Sequence, residues 1–321
     1  MSTPSYERIF VTLLREIATE QGYTLTSFSQ DWILRFEKAG QVRHTFGFNF
    51  ELNSATAHML AGDKAAVAAL LHHQHIPHIE HRFFLNPSRA AYIPEGGHWP
   101  AILAYAQQHD YNIVAKPNEG TGGLGVTRIK NQAQLEKAVL SIFQKGQSLS
   151  LSPYYQIQNE HRLIMLDGEC QLAYAKQRPQ VSGDGAASLR ALVERQLLAG
   201  AITQAQAVEA LEQHQAQLEQ VLPAGESLTI GWKHNLGAGS TPQALSAGPL
   251  LEQLQALALA AQQAINIRFA SIDIVEVDGV LRVLEVNSGI MMEHFARHQP
   301  QNRATAKAIY ARALEKMFAS R

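Results

Sequence analysis

The stretch from residue 271 to residue 287 carries polar side chains inside what is otherwise the pattern of a buried β-hairpin. Two runs of β-branched and apolar residues flank Asp278-Gly279, a dipeptide typical of a tight hairpin turn. Asp273 interrupts the first run, and Glu285 and Asn287, which share a strand face, interrupt the second. Because Mg²⁺ takes carboxylate and amide oxygens together with substrate phosphates, we predict that these three residues form a Mg²⁺ site. The alternative is a half-exposed hairpin whose acids are solvated.

A shared metal site sets a condition on the register of this hairpin. A two-residue turn pairs Val277 with Val280, and counting outward then puts Asp273 and Glu285 on opposite faces. We therefore predict an odd-length connection, which pairs Glu276 with Val280, or a bulge. The other face is then predicted to carry apolar side chains into the core: Ile272, Ile274, Leu284 and Val286.

Composition limits the classes of protein to which the chain can belong. Its 321 residues, 46% of them hydrophobic, are enough for two or three structural units with cores of their own. The net charge of −1 gives no basic footprint for nucleic acid. No run of residues is long and apolar enough for a membrane span, and the single cysteine, Cys170, fits a reducing compartment. We predict a cytoplasmic protein with no nucleic-acid or membrane partner.

A second informative stretch is the glycine-rich loop that follows Lys116, with the sequence K-P-N-E-G-T-G-G-L-G. Strand-type residues stand on both sides of it, so it is neither the strand-to-helix turn of a dinucleotide fold nor a Walker A loop. A glycine loop between two strands is a flap whose backbone N–H groups can fold over phosphates. The alternative is an ordinary flexible hairpin loop; four glycines beside a lysine expected to lie exposed at a strand end favour the flap.

Periodicity predicts the elements around these two stretches. Helices are predicted over 5–21, 53–74, 99–109, 132–143, 250–265 and 302–320, and two more, over 187–199 and 203–220, as an insert. Strands are predicted over 32–36, 42–48, 112–116, 125–129, 154–157 and 228–233. Five histidines between residues 72 and 81 lack the spacing of a closed metal-ligand set and are interpreted as a polar surface patch.

The order of these features resembles the ATP-grasp superfamily, within it the branch of cyanophycin synthetase, glutamate ligases and glutathione synthetase. The resembling segments are 53–64, 113–129, 160–162, 183–185, 233–236 and 273–287. The resemblance implies an α+β ATP-grasp fold, in which two α/β subdomains clasp the nucleotide beside a short N-terminal domain. The implied boundaries are 1–110 for the N-terminal domain, 111–157 for the small lid subdomain and 158–321 for the C-terminal subdomain, with the metal site and a helical insert at about 187–222.

The resemblance also implies an activity. It implies an ATP-dependent carboxylate–amine ligase that forms an amide or peptide bond on an amino-acid or peptide-like substrate through an acyl phosphate. Two alternatives remain, a phosphotransferase with a hydroxyl acceptor and a non-catalytic nucleotide-sensing module. Two lysines and a complete acidic set disfavour the sensing module. ATP and one or two Mg²⁺ ions, with Mn²⁺ as the alternative ion, are the implied cofactors, and the number of subunits, a homo-oligomer included, stays open.

Site residues follow from the same resemblance, by position in this sequence. The nucleotide is implied to contact two lysines, the flap and a hinge that offers backbone groups to adenine: Lys64, Lys116, Glu119, Gly120, Thr121, Gly122, Gly123, Leu124, Tyr155, Gln156 and Ile157. The transferred phosphate or an acidic substrate is implied to contact cationic and amide side chains: Arg162, Lys176, Arg178, Lys233 and Asn235. The metal ligands are Asp273, Glu285 and Asn287. For Arg162 the alternative is a structural salt bridge with Glu160, two residues away on a predicted strand.

Overall fold

The computed structural model describes residues 8–95, 97–120 and 122–319 of the chain. Antiparallel pairing dominates it, in two four-stranded sheets, one five-stranded sheet and a two-stranded ribbon. None of the helices in this described part combines the length and the apolar composition that a membrane span requires.

The N-terminal part packs a helix on a four-stranded meander. The first helix buries Phe10, Leu13, Leu14 and Ile17, which follow a helical period, and Gly22 at a φ of 71° ends it. It was predicted over 5–21, of which 5–7 lie outside the described residues. The elements are α1 (Ile9–Gln21), β1 (Thr24–Phe28), β2 (Ile33–Lys38), β3 (Gln41–Phe46), β4 (Asn49–Phe50), α2 (Ala55–Gly62) and α3 (Lys64–His73).

The single helix predicted over 53–74 is broken in two at Asp63. This residue has an extended backbone, and its side chain accepts a hydrogen bond from the backbone N–H of Ala66, which makes it the N-cap of α3. Aspartate competes for backbone donors in this way, so a new helix start is favoured over continuation. As a consequence Lys64 stands in the first turn of α3.

The next part is a sheet of four strands in the order β5-β8-β6-β7, with helices packed on it. Its elements are β5 (Arg82–Phe84), α4 (Trp99–Gln108), β6 (Ile113–Pro117), β7 (Thr127–Ile129), α5 (Gln132–Gln144) and β8 (Leu149–Pro153), and a 3₁₀ helix over Pro87–Tyr92. The glycine-rich loop joins β6 to β7, which pair antiparallel. The strand predicted over 154–157 is wrong: β8 ends at Pro153, and this segment is a connection in which only the backbone N–H of Tyr154, among the bonds of the described residues, still donates to a neighbouring segment, at Asn112. Strand β5 belongs to this sheet although it lies within residues 1–110, the segment predicted as the N-terminal domain. The predicted domain boundaries stay a prediction.

The C-terminal part is organised on a five-stranded sheet in the order β13-β10-β9-β14-β15. Its elements are β9 (Asn159–Leu166), β10 (Glu169–Gln177), β11 (Gln180–Ser182), α6 (Leu189–Leu198), α7 (Gln204–Gln213), β12 (Ser227–Thr229), β13 (Thr241–Ala244), α8 (Pro249–Ile265), β14 (Phe269–Val277), β15 (Val280–Asn287), α9 (Glu293–His298) and α10 (Pro300–Ala319). Helices α6 and α7 form the predicted insert around a small core of their own, and α7 ends earlier than predicted, at Gln213.

Alternation along β14 shows how the sheet positions the site. Ala270, Ile272 and Ile274 point to one face, where α2, α3 and α8 bury them. On the opposite face Phe269 packs in the core formed with α1 and α10, and Val275 packs in a small cluster with Ile79 and Ile157. The charged residue Asp273 lies between these two apolar regions, so the site occupies the middle of one sheet face.

Candidate active site

The hairpin of β14 and β15 has a bulge, as predicted, but at a different place. Val277 pairs with Val280 across a two-residue turn, so the predicted odd-length connection is wrong. The register shifts further out: Ile274 pairs with Val283, and Asp273 pairs with Glu285. The extra residue, which is number 284, restores the shared face for the two acids.

The bulged residue itself is a correction. Leu284 was predicted to enter the core with Ile272, but it packs with Ile79, Tyr155 and Ile157 on the side of the cleft. The other residues of the predicted apolar face, which are Ile272, Ile274 and Val286, are buried in the core as predicted. An apolar wall therefore lies directly beside Glu285 at one end of the site.

A cleft lies between the four-stranded β5-β8-β6-β7 sheet and the five-stranded C-terminal sheet, and it gathers most of the predicted site residues. Its lining includes Lys64, Lys116, Gly120, Gly122, Gly123, Leu124, Tyr155, Ile157, Arg162, Lys176, Lys233, Asn235, Asp273 and Glu285. Gln156 and Arg178 line a neighbouring cavity instead. Glu119 forms a backbone bridge with Asp63, and Asn287 lies behind Glu285 and donates a hydrogen bond to its Oε1 at 2.7 Å. Thr121 lies outside the described residues.

Four charged side chains form a buried network at the floor of the cleft. Arg162 holds Asp273 with two parallel hydrogen bonds, from Nε to Oδ1 and from Nη2 to Oδ2, each 2.7 Å long. Lys176 donates to Oδ2 of Asp273 at 2.9 Å and to Glu160. The alternative pairing of Arg162 with Glu160 is therefore not formed: Arg162 pairs with Asp273, and Glu160 pairs with Lys176. Lys176 is only 4% exposed, so this lysine faces its two acids from inside the protein.

Burial and charge oppose each other in this network. Burial acts to raise the pKa of Asp273, but Arg162 and Lys176 outweigh it and hold that pKa well below its usual range. Burial raises the pKa of Glu160, an effect that Lys176 offsets in part. The network is thus centred on an ionised Asp273, with both of its oxygens occupied by cations.

Lys116 is buried, which corrects the expectation that it lies exposed at a strand end. It is 7% exposed, on a strand that is buried along its whole length. Burial lowers its pKa to about 8, with Glu285 acting in the opposite direction. No hydrogen bond to its ammonium group occurs among the described residues. The cleft therefore contains a desolvated cation that lacks a partner.

This lysine gives the first prediction, on the pH dependence of nucleotide binding. An anion beside Lys116 favours the charged form, so ATP should bind with uptake of a proton above pH 8. We expect the affinity for ATP to fall as the pH rises through 8, by up to about tenfold per pH unit. Titration calorimetry from pH 7 to 9.5, in buffers of different ionisation enthalpy, measures both the affinity for ATP and the number of protons taken up on binding. A pH-independent affinity with no proton uptake would contradict the assignment, and the variant Lys116→Met should show that flat profile.

Three side chains from other parts of the chain donate hydrogen bonds to backbone carbonyl oxygens of the flap. Lys64 donates to the carbonyl oxygen of Gly120 at 2.8 Å, Asn235 to that of Gly122 at 2.9 Å, and Lys233 to that of Val126 at 3.0 Å. The cavity beneath the flap measures about 190 Å³, below the ~300 Å³ at which small-molecule pockets usually begin. A nucleotide-sized ligand would fit only if the flap lifted and released these side chains.

The predicted metal ligands offer the oxygen atoms that Mg²⁺ prefers. Asp273 and Glu285 face each other on one side of the paired strands, and Asn287 adds an amide oxygen two residues further on. A carboxylate offers about four lone-pair positions, of which Asp273 uses three for Arg162 and Lys176. Glu285 accepts a hydrogen bond from Asn287 alone among the described residues. The oxygen set fits Mg²⁺, with Glu285 as the carboxylate least committed to other partners.

Sequence reasoning missed two residues at this site. Glu160 was considered only as a salt-bridge partner, although it lines the cleft. His81, interpreted as part of a surface patch, has its Nδ1 atom 3.3 Å from Ser150, which lies opposite Lys116 in the sheet. Burial and then Lys116 lower the pKa of His81 well below its usual range. His81 reaches this site because strand β5 begins at the next residue, Arg82. This three-residue strand has no periodic pattern by which the sequence could have predicted it.

Comparison with known proteins gives one relative by sequence and several by structure. No protein-family model matches the chain. Cyanophycin synthetase from Synechocystis is 23% identical over 233 residues, which are 65% of this chain and 26% of that protein. The chain thus spans about a quarter of the length of this relative.

Two solved structures superpose on most of the chain. The bifunctional glutathione synthetase of Pasteurella multocida has a TM-score of 0.55 at 16% identity, over 95% of this chain and 44% of that one. D-alanine–D-alanine ligase of Bacillus anthracis has a TM-score of 0.54 at 14% identity, over 83% and 69%. A complex of the latter enzyme with ATP has a TM-score of 0.52. At such identities the likeness concerns the fold.

Proposed function

Since the chain has the ATP-grasp fold, we propose that it is an ATP-dependent carboxylate–amine ligase, which forms an amide or peptide bond on an amino-acid or peptide-like substrate. One observation carries the proposal: a single cleft brings the glycine flap and the lysines Lys64 and Lys116 to the face on which Asp273 and Glu285 lie opposite each other. This is a combination of phosphate-binding groups and hard oxygen ligands, as phosphoryl transfer requires.

The chemistry follows from the poor reactivity of a carboxylate. Transfer of the γ-phosphoryl group of ATP to a carboxylate oxygen gives an acyl phosphate and ADP. An amine then attacks the acyl carbon, the C–O bond to phosphate breaks, and the nitrogen loses a proton. Both steps depend on positioning and on neutralisation of charge.

The residues of the cleft suit these tasks. Lys116 is buried and has no hydrogen-bond partner among the described residues, and Lys64 is freed when the flap lifts, so both can neutralise phosphate charge. The bidentate contact with Asp273 fixes the plane of Arg162, so its remaining N–H groups can orient an oxyanion. Glu285 and Asn287, together with Asp273, would hold Mg²⁺, which supplies further charge neutralisation at the phosphates when bound. The apolar wall of Ile79, Leu284 and Ile157 would accept the adenine ring.

The proteins that resemble this chain agree with the substrate class. The sequence relative is a cyanophycin synthetase, and the structural neighbours are a glutathione synthetase and a D-alanine–D-alanine ligase. We propose amino acids or short peptides as both substrates on this basis. Arg178 and Gln156, which were predicted as site residues, have no part in this proposal because they face the neighbouring cavity.

Trapping of the acyl phosphate is the second prediction and tests the proposed function. With ATP, Mg²⁺ and a carboxylate substrate, hydroxylamine should give a hydroxamate, and release of inorganic phosphate should require both a carboxylate and an amine. A screen of amino-acid pairs for ADP and phosphate release identifies the substrates. Phosphate that ends on a hydroxyl of the second substrate would indicate a phosphotransferase, and nucleotide binding without turnover for any pair would indicate a sensing module.

A further inference from the structure

A second cavity, of about 550 Å³, adjoins the cleft on the side of the helical insert. Its walls are formed by the end of β7, by the connection that follows β8, by the end of β10 and by α7. It does not reach Lys116 or Asp273, but it shares six lining residues with the cleft: Val126, Tyr154, Tyr155, Ile157, Trp232 and Lys233. Its volume falls within the range of about 300–1,000 Å³ typical of small-molecule sites.

The cations of this cavity form no ion pair with any of the residues that the structure describes. Arg178 and Lys130 have neither an ion pair nor a side-chain hydrogen bond within the part of the chain that the structure describes. The guanidinium group of Arg128 lies 3.6 Å from the ring centroid of Tyr154, and its buried Nε atom has no hydrogen-bond partner among the described residues. Stacking fixes the plane of this group and leaves the N–H groups on its two terminal nitrogens, which lie in that plane, available to a ligand.

The opposite wall is acidic. Helix α7 contributes Glu209 and Glu212, and Glu209 is held in place because its Oε1 atom accepts a hydrogen bond from the backbone N–H of Trp232 at 3.2 Å. Neither acid forms a salt bridge with the cations across the cavity. Four cationic side chains and two acidic ones line the space, which leaves a net charge of +2. A ligand that satisfies both walls needs carboxylate groups and an amino group.

We infer that this second cavity binds an acidic amino acid, or a peptide that carries one, at a distance from the reacting groups. The carboxylates contact Arg128 and Arg178, whose planar forks match them, and the ammonium group faces Glu209 and Glu212. The site does not depend on the proposed ligase chemistry. It does border the nucleotide cleft, because Lys233, which holds the flap at Val126, belongs to both.

The test, our third prediction, is direct binding to the full chain with the cleft filled by a non-hydrolysable ATP analogue. Titration calorimetry compares three ligands: L-glutamate, an acidic amino acid; L-lysine, a basic amino acid; and inorganic phosphate, an anion without an amino group. Glutamate should bind, and both lysine and phosphate should bind at least about tenfold more weakly. Phosphate that binds as tightly as glutamate would overturn the ligand class, and no binding of glutamate up to about 10 mM would overturn the site.

Variants locate the bound ligand. Arg128→Gln and Arg178→Gln should each weaken glutamate binding by about tenfold or more, the effect of a lost charge-assisted contact. Arg190→Gln, on α6 and paired with Glu219 instead, is the matched control and should bind as the unchanged chain does. Both tested arginines are partly exposed, so similar melting temperatures are expected for all variants. Glutamate binding that survives both substitutions would place the ligand outside this cavity and contradict the inference.

Discussion

Lys116→Met is expected to weaken ATP binding to a low, pH-independent affinity and, in the same variant, to raise the free energy of unfolding at neutral pH. Burial lowers the pKa of this lysine from 10.5 to about 8. Each pKa unit corresponds to about 1.4 kcal/mol, so the charged lysine costs the folded state on the order of 3 kcal/mol at pH 7. Methionine keeps the length of the side chain and removes the charge. Turnover should fall at least ~10²-fold, the usual effect of losing one group that stabilises transition-state charge.

The sign of the pH dependence gives this prediction a second readout. A lowered pKa means that both folded and unfolded chains carry the proton below pH 8, where the full cost of burial applies. The cost fades between pH 8 and 10.5, because the folded state releases the proton first. Urea unfolding at pH 7 and at pH 10 should therefore show a stabilised variant at pH 7 and a smaller difference at pH 10. A variant less stable than the unchanged chain at pH 7 would contradict the argument.

Lys64→Met is the matched control for this experiment. Lys64 is partly exposed and donates to the carbonyl oxygen of Gly120, so its removal should weaken ATP binding without the gain in stability. If both variants were stabilised equally, the effect would belong to the substituted methionine and not to the buried charge of Lys116.

The sequence predicted the fold and the shared face of the hairpin, but not the place of the bulge. The ATP-grasp fold is confirmed, and Asp273 and Glu285 lie side by side. The two-residue turn persists because Asp278 and Gly279 both take positive φ angles, 50° and 73°, which this dipeptide favours. The register shift must then lie further along the strands, at Leu284. Because Leu284 is an apolar residue within an apolar run, the sequence does not indicate that the bulge lies there.

Two other differences between the predicted and the observed site, at Lys116 and Arg178, arise from burial and from the position of a strand end. Lys116 follows three small or apolar residues and precedes a proline, a pattern that fits an exposed strand end as well as the fully buried strand that is observed. Arg178 shares an alternation pattern with Lys176, but β10 ends at Gln177, so the common face does not continue to it. Such boundaries depend on tertiary contacts that no local pattern contains.

Asp273→Ala should destabilise the protein far more than it would if this residue served only as a metal ligand. Its carboxylate is the partner of both Arg162 and Lys176, and all three groups are largely buried. Removing it leaves two buried cations with a single acid, Glu160, and loss of one partner of a buried ion pair typically costs about 3–5 kcal/mol. Urea unfolding in the absence of metal and nucleotide measures this cost directly, separately from any effect on activity.

The pH dependence of this loss has a defined sign. The folded-state pKa of Asp273 is lowered, so its contribution to stability is complete above the unfolded pKa of about 3.9 and disappears as the pH falls through the folded value. The difference in unfolding free energy between the unchanged chain and the variant should thus be constant from pH 7 to pH 5 and narrow in strong acid. A difference that changes between pH 5 and pH 7 would point to another group.

Glu285→Gln is the contrasting substitution on the opposite strand. The amide keeps an oxygen for Asn287, so the unfolding free energy should change by no more than about 1 kcal/mol. Binding of Mn²⁺, followed by its electron paramagnetic resonance signal, should weaken at least about tenfold in this variant. Adding Lys176→Met to Asp273→Ala removes one of the stranded cations and should recover part of the lost stability. If Asp273→Ala cost no more than Glu285→Gln in metal-free protein, the buried network would not be centred on Asp273.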